Sequence, residues 1–228
     1  MRSLGVRGRG IPAAATSIIR TGVNTDEFRP TPVGRDTVYS RFGIPVDRRI
    51  IVYMGHLHER KGVHVLMSAM NHIVASMKRT DIHCLFLGDR PGESEQFRDL
   101  AGGAGEWITF GGYHLEIPEL LSGCYAGCVP STGWDSFPMS SLEMQACGLP
   151  VIVSDWQGVP ETIINGKTGI AVPVDDSVAL AERIVWLVDN PQKRDEMSQA
   201  AREWIETGFT RQHQIENLVQ RVSAELRD

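Results

Sequence analysis

The sequence predicts an α/β fold: a parallel sheet of about six strands with helices on both faces. Two observations support this. Short β-branched or apolar runs alternate with helical stretches from Ile50 to Val172, and strands separated by helices are joined as right-handed parallel crossovers. The runs themselves, such as Ile50 to Met54 and Ile82 to Leu87, are continuously apolar, as strands buried on both faces must be.

Taken in order, Ile50 to Met54 is the first strand, followed by a helix from about Val63 to Lys78 and a second strand at Ile82 to Leu87. A polar helix near Glu93 to Leu100 leads to a strand at Trp107 to Phe110, then a helix near Ile117 to Tyr125. Gly127 to Val129 forms a short strand closed by Pro130 and Ser131, and Leu149 to Val153 forms a β-branched one. Between them the chain should be loop and then helix. Pro138 fits the first helical position, Ser136 can cap, and Leu142, Met144, Ala146 and Cys147 supply an apolar side before Gly148 stops the helix. Ile170 to Val172 is the last strand. Three helices follow, Val178 to Val188, Gln192 to Ile205 and Gln212 to Leu226, broken at Asn190-Pro191 and Gly208. In the last of them Ile215, Leu218, Val219, Val222 and Leu226 form an apolar stripe at helical spacing.

Composition narrows the function classes. With 228 residues and 42% hydrophobic content, the chain can bury a core in one large domain, with or without terminal extensions. No apolar run approaches the roughly 20 residues of a membrane helix, and a net charge of −5 argues against a nucleic-acid partner. Cys84, Cys124, Cys128 and Cys147 lack CxxC spacing, so buried reduced thiols in a reducing cytoplasm are expected rather than zinc. Arg2, Arg7, Arg9 and Arg20 stand in an acid-free stretch, but a linker or the remnant of a missing amino-terminal domain over residues 1–18 fits better than a transit peptide. Gly5, Gly8 and Gly10 follow no strand, so they are not a dinucleotide fingerprint.

Ligands of a parallel sheet bind beyond the carboxyl ends of its strands, and three loops there carry suitable chemistry. Gly55-His56-Leu57-His58-Glu59-Arg60-Lys61-Gly62 follows the first strand and opens a long helix, offering backbone amides and the Lys61 charge to an anion. Gly88-Asp89-Arg90-Pro91-Gly92 and Gly111-Gly112-Tyr113 end the next two strands, where glycines permit close backbone approach. Asp135 and Glu143 flank a helix start. If the whole stretch between them were helical, they would stand about 12 Å apart along the axis; with residues 135–137 in the loop, they can converge on one ligand.

These residues carry a family resemblance. Gly22-Val23-Asn24 with Phe28 and Pro30, then GHLHERKG, FLGDRPG, FGGY and PSTGWDSFPMSSLEMQACGLPVIVSDWQGVPETIINGKTGIAVPVDD, together resemble the carboxyl-terminal domain of the family 4 glycosyltransferases over about residues 19 to 226. The resemblance implies one half of a GT-B fold: a Rossmann-like three-layer donor-binding domain over 19–228, with terminal helices from about residue 177. It also implies a retaining, metal-independent hexosyltransferase acting on a nucleotide-diphosphate sugar, with no further cofactor; a UDP-sugar is favoured over GDP- or ADP-sugars. The acceptor would be a glycan, a lipid or a small molecule. An amino-terminal domain or separate subunit would bind it, in the cytoplasm or peripherally at the cytoplasmic membrane face.

The family hallmark, two acids separated by seven residues, reads here as Asp135 and Glu143. By resemblance Glu143 holds the ribose hydroxyls, Asp135 contacts the donor sugar near its reacting carbon, and Lys61 binds the diphosphate, making these three the catalytic set. Gly55, His56, Arg60 and Arg90 would surround the phosphates. Gly88, Gly112 and Tyr113 would flank the base, and the backbone of Phe137, Pro138, Met139 and Ser140 would line the sugar and the diphosphate. Three departures stand out. Asp135 replaces the usual Glu and is shorter by about 1.5 Å. His56 stands where the family usually has a phosphate-binding arginine, and Pro138, replacing a glycine, removes an amide donor. They motivate a rival reading, a non-catalytic nucleotide-sugar-binding module or a subunit that needs a separate acceptor-binding chain.

Overall fold

The structure, a computed structural model, describes residues 16–32 and 34–225; the expectation of a linker over 1–18 therefore lies mostly outside the described residues. Six strands form one wholly parallel sheet: β1 (Arg49–Met54), β2 (Ile82–Leu87), β3 (Ile108–Gly112), β4 (Ala126–Val129), β5 (Val151–Ser154) and β6 (Gly169–Val172). Their order is β3-β2-β1-β4-β5-β6. This is the doubly wound arrangement, in which the winding direction reverses between β1 and β4.

The apolar runs of the inner strands are continuous because those strands feed two cores, whereas the edge strand β3 is half-buried and packs through Ile108 and Phe110 on one side only. Along β1, Ile51 and Tyr53 face one side, where α2 (Val63–Asn71) and α6 (Ser177–Asp189) pack through Leu66, Met70, Leu180 and Ile184. Ile50 and Val52 face the other, meeting α1 (Gly34–Phe42), α4 (Ile117–Ser122) and α5 (Met139–Ala146) through Val38, Leu120 and Met144. The period of two along a strand makes this division automatic. A third cluster joins Val23, Leu142, Ala146, Ile205 and Phe209, tying α5 to α7 (Pro191–Gly208). Arg202 of α7 donates to the carbonyls of Phe28 and Ala146 at 2.7 and 2.6 Å.

Several boundaries differ from the sequence reading. The helix expected to reach Lys78 is α-helical only to Asn71, continues as a π-turn over His72–Ser76, and ends with Lys78 at φ 57°. The expected polar helix is four residues, Glu95–Arg98 (α3), followed by 3-10 turns to Trp107. Pro138 is the cap residue of α5 rather than its first helical one, at φ −65° and ψ 122°, and no side chain caps that end, so Ser136 does not cap. Extended backbone at Pro138 keeps its fixed φ while turning the chain into the helix. Helix α1 has no counterpart in the sequence reading, because its apolar positions Val38, Tyr39 and Phe42 span little more than one turn and do not mark a period. The last described helix is α8 (Arg211–Glu225), on which Ile215, Leu218, Val219 and Val222 remain about half exposed, while Leu226 lies outside the described residues.

One buried polar group inside the sheet sets a pH response. His83 on β2 is 3% exposed. Arg48 Nη1 can only donate, so His83 Nδ1 accepts from it at 3.4 Å while Nε2–H donates to Thr109 Oγ1 at 2.8 Å. Burial first, and then the Arg48 charge, pull the His83 pKa down to about 4. The folded state thus binds this proton less readily than the unfolded chain, so stability is complete above the unfolded pKa of about 6.5 and falls as pH drops towards 4. Urea unfolding at pH 7 and pH 4.5 should show the protein losing on the order of 1–3 kcal/mol more than His83→Asn loses over the same interval; equal losses would contradict this.

Candidate active site

Reversal of the winding between β1 and β4 parts the loops that follow these strands, and a cavity of about 550 Å3 lies in the crevice. Gly55, His56 and Lys61 line it from the β1 loop, Gly88 and Arg90 from the β2 loop, and Tyr113 from the end of β3. Asp135, Pro138, Met139, Ser140 and Glu143 close it from the β4 loop and α5. Residues far apart in sequence therefore meet because four strand ends share one edge. Helix α5 points its amino-terminal end into the cavity through Met139 and Ser140, a position suited to an anion.

Three of the expected site residues do not line the cavity. Arg60 serves through its backbone: its carbonyl accepts from Thr132 and Gly133 N–H at 2.9 and 2.8 Å, and its side chain is exposed. Gly112 spends its polar groups on neighbouring loops, donating to Asp89 Oδ1 at 2.6 Å and accepting from Gly88 N–H at 2.8 Å. The Phe137 ring turns away and packs 5.7 Å from Phe209 in the third apolar cluster. Conversely, Tyr53, Cys128 and Ser131 line the cavity without having been singled out. Tyr53 and Cys128 are register partners on the two strands that flank the switch point, and Ser131 is the hydroxyl that directly follows β4. Their position relative to the strand ends was the available signal.

At the centre of the site is an ion pair. Lys61 Nζ lies 2.7 Å from Asp135 Oδ2, and Ser131 Oγ donates to the same oxygen at 2.8 Å. Asp135 is 8% exposed, so its charge depends on these donors. Gly62, at φ 72°, makes the pair geometrically attainable: its Cα packs against the Pro130 carbonyl so closely that any Cβ would overlap it. Nearby, Tyr53 OH donates to the His56 carbonyl at 2.7 Å, and burial raises its pKa, reinforced by Cys128, Asp135 and Glu93. His58 Nδ1 accepts from Arg60 N–H and caps the short turn Glu59–Lys61, so it is occupied with local structure. His56 stands 3.9 Å from Glu93. Burial, and secondarily the Glu27 charge, raise the Glu143 pKa. Among the described residues no three His, Cys, Asp or Glu side chains group as metal ligands.

Comparison with known proteins bears on this geometry. Residues 35–204 match the family model described as "Glycosyl transferases group 1". The chain is 31% identical over 190 residues to a phosphatidyl-myo-inositol mannosyltransferase of Mycobacterium leprae, covering 82% of this chain and 48% of the relative. It is 30% identical over 203 residues to a GDP-mannose-dependent alpha-(1-6)-phosphatidylinositol monomannoside mannosyltransferase of Mycolicibacterium smegmatis, covering 85% and 52%. The chain thus spans about half the length of these curated relatives. In structure it superimposes on Anabaena HepE in complex with UDP with a TM-score of 0.88 at 19% identity, covering 98% of this chain and 61% of that one. At that identity the likeness establishes the fold.

Two measurements check the electrostatics. Lys61→Met should cost ~1–3 kcal/mol in urea unfolding, because it strands a buried carboxylate; adding Asp135→Asn should recover most of that loss, whereas purely additive losses would deny the pair. Glu143→Gln should raise the unfolding midpoint at pH 7. A carboxyl whose pKa is higher in the folded state stabilises the fold below its unfolded pKa and loses that contribution as pH rises through the folded one. The advantage of the Gln variant should therefore shrink at pH 4, and a constant difference would point to packing instead.

Proposed function

We propose that this chain, which belongs to the glycosyl transferases group 1 family, is the donor-binding half of a retaining glycosyltransferase. It would bind a nucleotide-diphosphate sugar and pass the sugar to an acceptor hydroxyl held by an amino-terminal domain or a separate subunit. The observation that carries this reading is the meeting of Lys61, Asp135 and Glu143 around one cavity at the switch point of the sheet.

Each group has a part that its surroundings suit. The Glu143 carboxylate accepts from the ribose hydroxyls, whose donors replace the water that burial removes. Lys61 Nζ and the free amides at the start of α5 face the diphosphate, and their fixed charge stabilises the leaving group as the anomeric bond breaks. Asp135 keeps Lys61 and Ser131 on Oδ2, which leaves Oδ1 to meet the donor sugar as positive charge develops at its anomeric carbon. The acceptor hydroxyl then attacks from the face the diphosphate leaves and gives its proton to the departing diphosphate, giving retention. The Mycolicibacterium smegmatis relative is named as GDP-mannose-dependent, and Anabaena HepE holds UDP, so a hexose on UDP or GDP is the expected donor.

A second reading, a module that binds nucleotide sugars without transferring them, is favoured by one observation: the Lys61 ammonium is already engaged by Asp135. Four buried free cysteines support a reducing compartment for either. Among the described residues no helix is long and apolar enough to cross a membrane.

Calorimetric titration with UDP, GDP and ADP, and with their sugar conjugates, should find selective binding. Lys61→Ala and Glu143→Gln should each weaken it roughly 10- to 100-fold, as expected for charge-assisted hydrogen bonds. Absence of binding at millimolar nucleotide would refute the donor site. Binding together with sugar release to an acceptor, once an acceptor-binding half is supplied, would separate transferase from module.

A further inference from the structure

The acid-bearing loop is held from below by the turn that follows β5. The last residue of β5 and three residues of that turn reach four residues of the loop: Ser154 Oγ donates to the Ser131 carbonyl at 2.6 Å, and Trp156 Nε1 donates to the Gly133 carbonyl at 3.0 Å. Asp135 N–H donates to Gln157 Oε1 at 3.1 Å, and Gly158 lies against the Ser136 carbonyl so closely that a Cβ would overlap it. Gln157 is the odd member. Its backbone sits at φ 51°, a left-handed conformation that a side chain with a Cβ adopts at a cost. A glycine there would be unstrained but would have no carboxamide. Gln157 does not line the cavity. Its side-chain carbonyl accepts from the main chain of Asp135 instead.

We propose that Gln157 is a positioning residue: it accepts the strain of a left-handed turn in order to fix the amide of Asp135, and so sets where that carboxylate meets Lys61 and the donor sugar. The mechanical part of this rests on the structure alone; its consequence for the sugar rests on the donor-site reading above. Fixing the main chain at residue 135 orients the carboxylate because Oδ2 is pinned by Ser131 and Lys61, leaving little freedom once Cα is set. A shortened acid such as Asp135 has less reach to correct a misplaced backbone than a Glu would have.

The test compares Gln157→Gly, which relieves the strain and removes the acceptor, with Gln157→Glu, which keeps an acceptor oxygen. Amide hydrogen exchange on the unliganded chain should show Asp135 N–H exchanging roughly 2- to 10-fold faster in Gln157→Gly, the effect of one hydrogen bond. The unfolding midpoint of that variant should be unchanged or higher, and Gln157→Glu should restore protection. Unchanged exchange at Asp135 in Gln157→Gly would overturn the proposal.

A binding arm uses UDP with UDP-glucose and GDP with GDP-mannose. In the pair the unmodified chain binds, Gln157→Gly should lose affinity for the sugar conjugate and keep affinity for the bare diphosphate, and Gln157→Glu should recover it. Equal weakening of both ligands would mark Gln157 as a general structural residue and overturn its positioning role. If the unmodified chain binds neither pair, the donor-site reading fails, and the exchange result alone decides whether Gln157 holds the loop.

Discussion

The approach of the turn after β1 to the end of β4 is the constraint on which the site depends. Two parallel strands that adjoin at the point where winding reverses send their following loops in opposite directions, and the gap between them needs a bridge. Gly62 against the Pro130 carbonyl provides steric closeness, and the Arg60 carbonyl, accepting from Thr132 and Gly133, provides hydrogen bonds. Only with the two loops drawn together does the Lys61 ammonium reach Asp135, across 74 positions of sequence. A side chain at position 62 would push the loops apart and leave both charges without partners, which is costly for a carboxylate as buried as Asp135.

The site and the turn that supports it hold groups that the fold would not choose for its own stability. Glu143 is placed where burial disfavours its charge, with Glu27 adding repulsion, and Gln157 occupies a backbone region that favours glycine. Such concentrations of strain and misplaced charge are expected where a protein is shaped for a ligand rather than for itself. By contrast, His83 and Arg48 form a polar cluster within the sheet whose donors and acceptors match. It needs no ligand to explain it.

The inner strands were legible because strands buried on both faces are nearly continuous apolar runs, interrupted in β2 only by His83; the half-buried edge strand β3 was legible from its length and its flanking turn residues. The helices after Ser177 were legible from their breaks at Asn190-Pro191 and Gly208. Helix α1 was not, since Val38, Tyr39 and Phe42 are bunched in the second half of nine otherwise polar residues and make no sustained period. Pro138 misled because a proline fits both the cap and the first turn, and the sequence does not say which. Among the candidate site residues, those whose roles depend on backbone direction were the hardest to place. Phe137 stands next to the cavity-lining Pro138, yet its ring belongs to the apolar cluster with Phe209.

By itself the sequence determined the strand and helix alternation, hence the parallel sheet, and through its motifs the loops that carry charge at the strand ends. These follow from local rules: apolar periodicity, turn residues and spacing within one segment. Tertiary structure alone decided that Lys61 pairs with Asp135, that Arg60 faces outward while its carbonyl bonds inward, and that the turn at 154–158 holds the acid-bearing loop. The reason is geometric. Strand order and register bring segments together from distant parts of the chain, and whether two side chains meet there depends on differences of an ångström that no single segment encodes.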